Sequence, residues 1–388
     1  ALALLLLAAA PALADDPPRE EYAIFSINVQ DFSYPQRSAA TVRKILEIHE
    51  KYEVPVDFYL TGTIAQCYET VAPDLVERIA RSPLASVCYH VRPPAPYYVR
   101  YDWMGLSEKD RAEQVRVVRE YETHGLDLAT GKPTAEDGGY AALAKSAGYA
   151  PVCASLQSDG ALSRAVQSVF VDLGLRMMAV HGTRGINLGD RRDGTYLRPE
   201  HFDLKLFHYP ERTARDLVED AFAQARRAEG ARAPYFVGIK MHDNDFFAEE
   251  SAWVTVYQRG RRSPPWDPSR RSPLLAEEDQ ADMWRHYEST VAWVAGAKDR
   301  IGAVNAPRVL EMVGRGRSGN SSSEAPARSV LHVSGTMHIE TRRENWPDPE
   351  ALVAFFRRAT ATGMRWSIGA DIGWLEGEPR AREVIRAT

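Results

Sequence analysis

The chain is poor in cysteine. Its 388 residues hold only three, Cys67, Cys88 and Cys153, so one is unpaired in any monomer and a disulfide-knit fold is excluded. Cys88 and Cys153 lie in apolar, strand-like runs and read as buried thiols. No C-x-x-C pair or zinc-knuckle spacing occurs. There is no basic excess either. Against 48 Lys and Arg stand 53 Asp and Glu, a net charge of −5, which argues against a general nucleic-acid binder. The short basic runs at Arg259–Arg262 and Arg315–Arg317 read as solvated loop charge. Long hydrophobic runs are also scarce. Ala1–Ala14 reads as the apolar core of a signal peptide with an Ala-x-Ala cleavage site after Ala14. No other segment is long and apolar enough to span a bilayer. The expectation is an exported protein, secreted or periplasmic, with no membrane span. A composition of 44% hydrophobic and 26% charged residues is that of a globular protein.

What is present is alternation. Apolar runs predict strands at Ala23–Val29, Val56–Leu60, Ser86–Val91, Ala150–Ala154, Met177–His181, Leu204–His208 and Tyr235–Met241. Helical periodicity marks Ser38–Tyr52, Ala72–Ser82, Glu108–Glu122, Gly138–Ala147 and Glu277–Ala297, with a short unit at Ala306–Val313. Strands alternating with helices define an α/β chain with a parallel sheet or barrel. About seven such strands before residue 300 and no P-loop favour a TIM-like barrel over a nucleotide-binding open sheet. Residues 314–328 have linker composition. Beyond them, strand Val330–Val333, His338, helix Pro349–Thr360 and strand Trp366–Ala370 repeat the opening pattern. Residues 329–388 therefore read as the start of a second α/β unit.

In parallel barrels the reactive groups gather at the carboxyl ends of strands. Asp31, His90, His181, His208 and His242 all fall there. Asp31, in Asn28-Val-Gln-Asp-Phe-Ser33, reads as a metal ligand, a substrate ligand or a cap on the following helix. His90 opens a Pro-rich segment that carries Arg92, Tyr97 and Tyr98, residue types suited to holding and stacking a sugar ring. The densest polar cluster is His242-Asp243-Asn244-Asp245. It suits general acid–base work or metal ligation, or else an Asx-rich turn capping the next helix. Trp253, Trp266 and Trp284 suit a carbohydrate platform or core packing. His49 and His286 sit in helices as surface or core fillers, and His124 and His201 have no evident partners.

These segments resemble the polysaccharide deacetylase family with the NodB homology domain. That family has an irregular TIM-like (β/α)7 barrel, which the resemblance implies over residues 22–313, and usually a divalent metal, often zinc. Asp31 matches its metal-binding aspartate, and His90 the first histidine of its His-x-x-x-His motif. Met241-His242-Asp243 matches the strand end whose histidine is the general acid. Gly139–Tyr149 matches the helix after its third motif. The resemblance implies a carbohydrate substrate and a metal on Asp31 and His90. It implies a catalytic group at His242, Asp243 and Asp245, with Arg92, Tyr97 and Tyr98 binding substrate. The chain departs from the family where Gln30 replaces the usual base and Pro94 the second histidine, and no arginine-proline pair stands near Ala135–Tyr140. Removal of acetyl groups from a carbohydrate is thus the leading expectation. A glycoside hydrolase or lyase using Asp31, Asp243 or Asp245 as paired carboxylates is one alternative. A sugar-binding barrel without catalysis is the other.

Overall fold

The computed structural model describes residues 19–91, 102, 104–156, 160–180, 185–230, 233–258, 265–318, 334–339, 348, 350–354, 365–370 and 380. The chain divides into two compact units, residues 1–320 and 321–388.

In the first unit the strands are β1 (Glu21–Val29), β2 (Val56–Leu60), β3 (Ala85–His90), β4 (His124–Asp127), β5 (Lys132–Asp137), β6 (Cys153–Leu156), β7 (Met177–Val180), β8 (Arg191–Arg192), β9 (Thr195–Leu197), β10 (Phe202–Lys205), β11 (Tyr235–His242) and β12 (Ile301–Ala303). The helices are α1 (Pro35–Tyr52), α2 (Gly62–Val71), α3 (Leu75–Arg81), α4 (Arg111–Thr123), α5 (Gly139–Ala147), α6 (Ala161–Asp172), α7 (Ala214–Glu229), α8 (Ala252–Thr255), α9 (Glu277–Gly296) and α10 (Ala306–Ser318).

β1 pairs in parallel with β2 on one side and β11 on the other. From β2 the parallel pairing continues through β3, β6 and β7 to β9. The two ends of this curled sheet are joined by the chain itself. Residues 195–205 pair with β7 through β9, then with β11 through β10. The Arg198 N–H donates to Met178 O (2.7 Å) and the His201 N–H to Phe236 O (2.9 Å), marking the hand-over. The Phe236 N–H in turn donates to His201 Nδ1 at 2.9 Å. Seven staves result, as the sequence pattern predicts.

A sheet covered on both faces reads as a nearly unbroken apolar run, and all nine residues of β1 are buried. Ala23, Phe25, Ile27 and Val29 pack into the large cluster with the helices, including Val42, Ile45 and Leu46 of α1. Tyr22 and Ile24 point the other way, with Tyr59, Cys88, Cys153, Met177 and Phe236, against Ala306, Val309 and Leu310 of α10. By the same two-residue period, Ser26 and Asn28 share the face of Tyr22. The inner face is therefore apolar at its amino end and polar toward the carboxyl ends of the strands. Asp57 ties α10 there, accepting from the Ala306 N–H at 3.0 Å and from Ser86 Oγ.

The polar inner face is built around a buried ion pair. Arg198 bonds Glu200 and Ser26 Oγ and reaches Tyr59 Oη at 3.3 Å, with both charged side chains under a tenth exposed. Gly238 makes room for it. A Cβ at that position would stand 3.0 Å from Glu200 Oε2.

Several elements differ from the sequence expectation. The predicted strand Leu204–His208 is strand only as β10, and Leu206–His208 forms a 3-10 turn. The predicted Ala150–Ala154 strand begins at Cys153, since Pro151 has no N–H for a ladder. The helix predicted at Ala72–Ser82 is α3, preceded by α2. Helices α6 and α7 and the β4–β5 hairpin are additional. Helix α10 runs to Ser318, through the predicted start of the linker. Its buried Val309, Leu310 and Val313 and its tethered amino end favour continuing the helix.

In the second unit β13 (Ser334–Ile339) pairs in parallel with β14 (Arg365–Ala370), and residues 350–354 are helical. This is the expected β-α-β order. His338 lies within β13 rather than after a strand, and the predicted Val330–Val333 strand lies outside the described residues.

Candidate active site

The carboxyl ends of β1 and β11 are adjacent, with Asn28 opposite His242 in register. Asp243 locks them together. Its Oδ1 accepts from the Gln30 N–H and its Oδ2 from the Asp31 N–H, each at 3.1 Å, and Oδ2 also accepts from Ser38 Oγ at 2.5 Å. Ser38, in the first turns of α1, is a partner that nothing in the sequence marks. Burial, and secondarily the nearby Asp31 charge, push the Asp243 carboxyl up to about 7.

Asp31 is fully buried. Its Oδ1 accepts from Ser33 N–H, Ser33 Oγ and Tyr34 N–H, and its Oδ2 from the Ala252 N–H, at 2.6–3.2 Å. It shapes the turn into α1 and pins the start of α8. Burial raises its pKa, opposed by those hydrogen bonds.

This donor set does not fit a resident divalent metal. Asp31 Oδ1 already accepts three hydrogen bonds and Oδ2 one, so a single lone pair, on Oδ2, is left open on that carboxylate. His90 ends β3, fully buried, with β2 between it and β1. Among the described residues no three His, Cys, Asp or Glu are grouped to hold a metal ion. Gln30 is buried, and its Oε1 has no hydrogen-bond partner among the described residues. It is a neutral acceptor at the end of β1.

The group that remains exposed is His242. Its backbone N–H and its Nδ1 both meet Asp245 Oδ2, at 2.7 and 3.0 Å. Asp245 caps the 3-10 turn Asp243–Phe246 that follows β11. The turn-capping and catalytic readings thus describe the same residues. The His242 side chain also accepts from the Asp245 backbone N–H, so the two residues cap the turn reciprocally, and a proton on Nδ1 would face the carboxylate and leave Nε2 with the free lone pair. Both side chains are partly exposed, at 19% and 12%. The His242 ring lies 5.0 Å from that of Phe207, which flanks it on the β10 side. One step deeper on the same face, Lys240 pairs with Asp203 at 2.9 Å.

The other candidates fall in different places. Arg92, Tyr97, Tyr98, Pro94 and His181 lie outside the described residues. His208 is exposed beside Phe207. Trp284 stacks on Phe246 at 4.1 Å under Lys44, a packing role, and Trp266 donates to Leu128 O at 2.9 Å. His49 is a buried filler bonded to Val54 O and Tyr287 Oη, both at 2.7 Å.

No family model matches the chain. No curated protein matches it either. Among solved structures it is similar to a probable polysaccharide deacetylase from Pseudomonas aeruginosa PAO1. The identity is 13%, covering 81% of this chain and 99% of that one, with a TM-score of 0.45. It is also similar to the peptidoglycan deacetylase PdaC of Bacillus subtilis (13% identity, 78% and 96% covered, TM-score 0.35). A third is PuuE allantoinase (11% identity, 81% and 98% covered, TM-score 0.46).

Proposed function

We propose that the chain is a hydrolase that removes acetyl groups from a carbohydrate, with His242 as its acid–base group. The observation that carries this reading is the His242–Asp245 pair at the carboxyl end of β11, partly open to solvent. Asp245 holds the imidazole in one tautomer. Nε2 is then placed to take a proton from a water as it attacks an acetyl carbonyl. The same nitrogen returns that proton to the departing sugar oxygen or nitrogen, giving acetate and a free hydroxyl or amine. Asp243, buried and committed to backbone donors, positions the β1 end rather than activating water. Arg92, Tyr97 and Tyr98 remain sugar-binding candidates from the sequence. The apolar run Ala1–Ala14 supports export, and so an extracytoplasmic glycan as substrate. Among the described residues no helix is long and apolar enough to cross a membrane.

A sugar-binding barrel without catalysis is the second reading, favoured by Gln30 in place of a base and by the burial of Asp31 in its own turn. The paired-carboxylate glycosidase is disfavoured, because Asp31 and Asp243 are both fully buried. Acetate release from acetylated chitooligosaccharides and acetylated xylan separates these readings. Release that is lost in His242→Ala supports the hydrolase. Binding of the same oligosaccharides without release leaves the binding barrel.

A further inference from the structure

A second concavity opens beside the ring, and the acid–base pair does not line it. It lies against β10 and α7, holds about 360 Å³, and is lined by Asp203, Lys205, His208, Tyr209, Arg212 and Gln224 among others. That volume is at the lower end of small-molecule pockets, suited to one sugar ring. We infer that this cavity is a subsite for one neutral pyranose ring of the glycan. As a subsite of the same glycan it rests on the acetyl-hydrolase reading.

Charge selects the ligand class. Three carboxylates face the cavity, Glu200, Asp203 and Asp220. Each has its own cation, namely Arg198, Lys240 and Arg212. With each carboxylate matched, the wall offers a charged ligand only the exposed, solvent-screened Lys205. A neutral polyol presents both donors and acceptors and satisfies both kinds of wall. Asp203 supplies a polar wall, with its Oδ2 on Lys240 and its side chain 15% exposed at the cavity. Tyr209 supplies the apolar face. It is 40% exposed, one of five large hydrophobic side chains so open among the described residues, and a pyranose lays its C–H face on such a ring.

The cavity also adjoins the reactive histidine. The 3-10 turn Leu206–His208 is their common wall, with Phe207 against His242 at 5.0 Å and His208 against Phe207 at 4.4 Å. His208 thus lines the cavity on one side of the turn while Phe207 meets His242 on the other.

The test uses the full chain and the methyl glycosides of glucose, N-acetylglucosamine and glucuronate, titrated by saturation-transfer NMR. The two neutral glycosides are expected to bind and glucuronate to bind more weakly. Tyr209→Ala, at an exposed position outside the core, should weaken the neutral glycosides about three- to tenfold. Asp203→Asn should weaken them as well, and His242→Ala should leave their binding intact. No binding by wild type, undiminished binding in Tyr209→Ala, or glucuronate binding tighter than both neutral sugars would overturn the subsite. Acetate release is scored separately. Release without Tyr209-dependent binding sinks the subsite and leaves the hydrolase standing. Tyr209-dependent binding without release does the reverse.

Discussion

The carboxylate of Asp243 accepts a hydrogen bond from the backbone N–H of Asp31 at 3.1 Å, across 212 positions of sequence. With the matching bond from Gln30 and the bond from Ser38, it fixes the end of β1 to the end of β11 and to α1. Asp243→Ala would strip the acceptor from two buried N–H groups and a hydroxyl. The expected loss is about 3 kcal/mol or more, and Ser38→Ala should lose about 1 kcal/mol. Guanidinium unfolding midpoints measure both. A loss well below 1 kcal/mol for Asp243→Ala would show that the contact contributes little.

His242 and Asp245 divide the catalytic work. His242→Ala should lower kcat/KM for acetate release by about 10²- to 10⁴-fold. Asp245→Asn keeps the shape of the turn but weakens control of the tautomer, so its loss should be smaller. Wild-type rates in a folded His242→Ala protein would refute the assignment.

The four hydrogen bonds on Asp31 carry a prediction about metals. Exhaustive chelation followed by dialysis should leave the melting temperature and any acetate release unchanged. Elemental mass spectrometry should find no stoichiometric zinc, cobalt, nickel or manganese. Rate lost to the chelator and recovered on adding zinc would contradict it.

Inside the ring, Arg198 depends on Glu200. Glu200→Ala leaves a buried guanidinium with Ser26 and Tyr59 alone, at an expected cost of about 3–5 kcal/mol. Gly238→Ala pushes a methyl toward the same carboxylate and should cost about 1–3 kcal/mol. Denaturant unfolding of the two variants tests whether the pair needs both its charge and its space.

Burial holds His49 at about 4, well below its ordinary 6.5. Between those values the unfolded chain takes up a proton that the folded chain refuses. The contribution of His49 to stability is therefore complete above pH 6.5 and is lost as pH falls toward 4. Asp243, raised to about 7, acts in the opposite direction, since its folded form keeps a proton that the unfolded form has released. Wild type alone can therefore show a flat profile. The gap in unfolding free energy between wild type and His49→Gln should widen by on the order of 3 kcal/mol from pH 4 to pH 6.5. A constant gap would show that His49 titrates normally.

Much of the architecture is legible in the chain. The seven staves appear as apolar runs because a strand buried on both faces has little choice of residue. Helices α6 and α7 follow the same logic, with Leu162, Ala165, Val166, Val169 and Phe170 on one buried stripe and Leu217, Val218, Ala221 and Phe222 on another. Their period is in the sequence although the prediction omits them. The site is less legible. An acid at a strand end is visible, but the Ala252 N–H that fills Asp31 comes from 221 residues away. His201 has no visible role until Phe236 is seen bonded to it, because only the closing of the ring brings them together.

That closing also has a consequence in time. β1 is among the first strands made, and the edge it offers to β11 has no partner until Tyr235–His242 has left the ribosome. At about 5–20 residues per second, that edge stays open for roughly 10–40 s of every synthesis. Until then the nascent chain carries a buried-type strand, Glu21–Val29, with one row of backbone donors and acceptors unmatched. A chaperone has its longest opportunity to engage the chain in that interval.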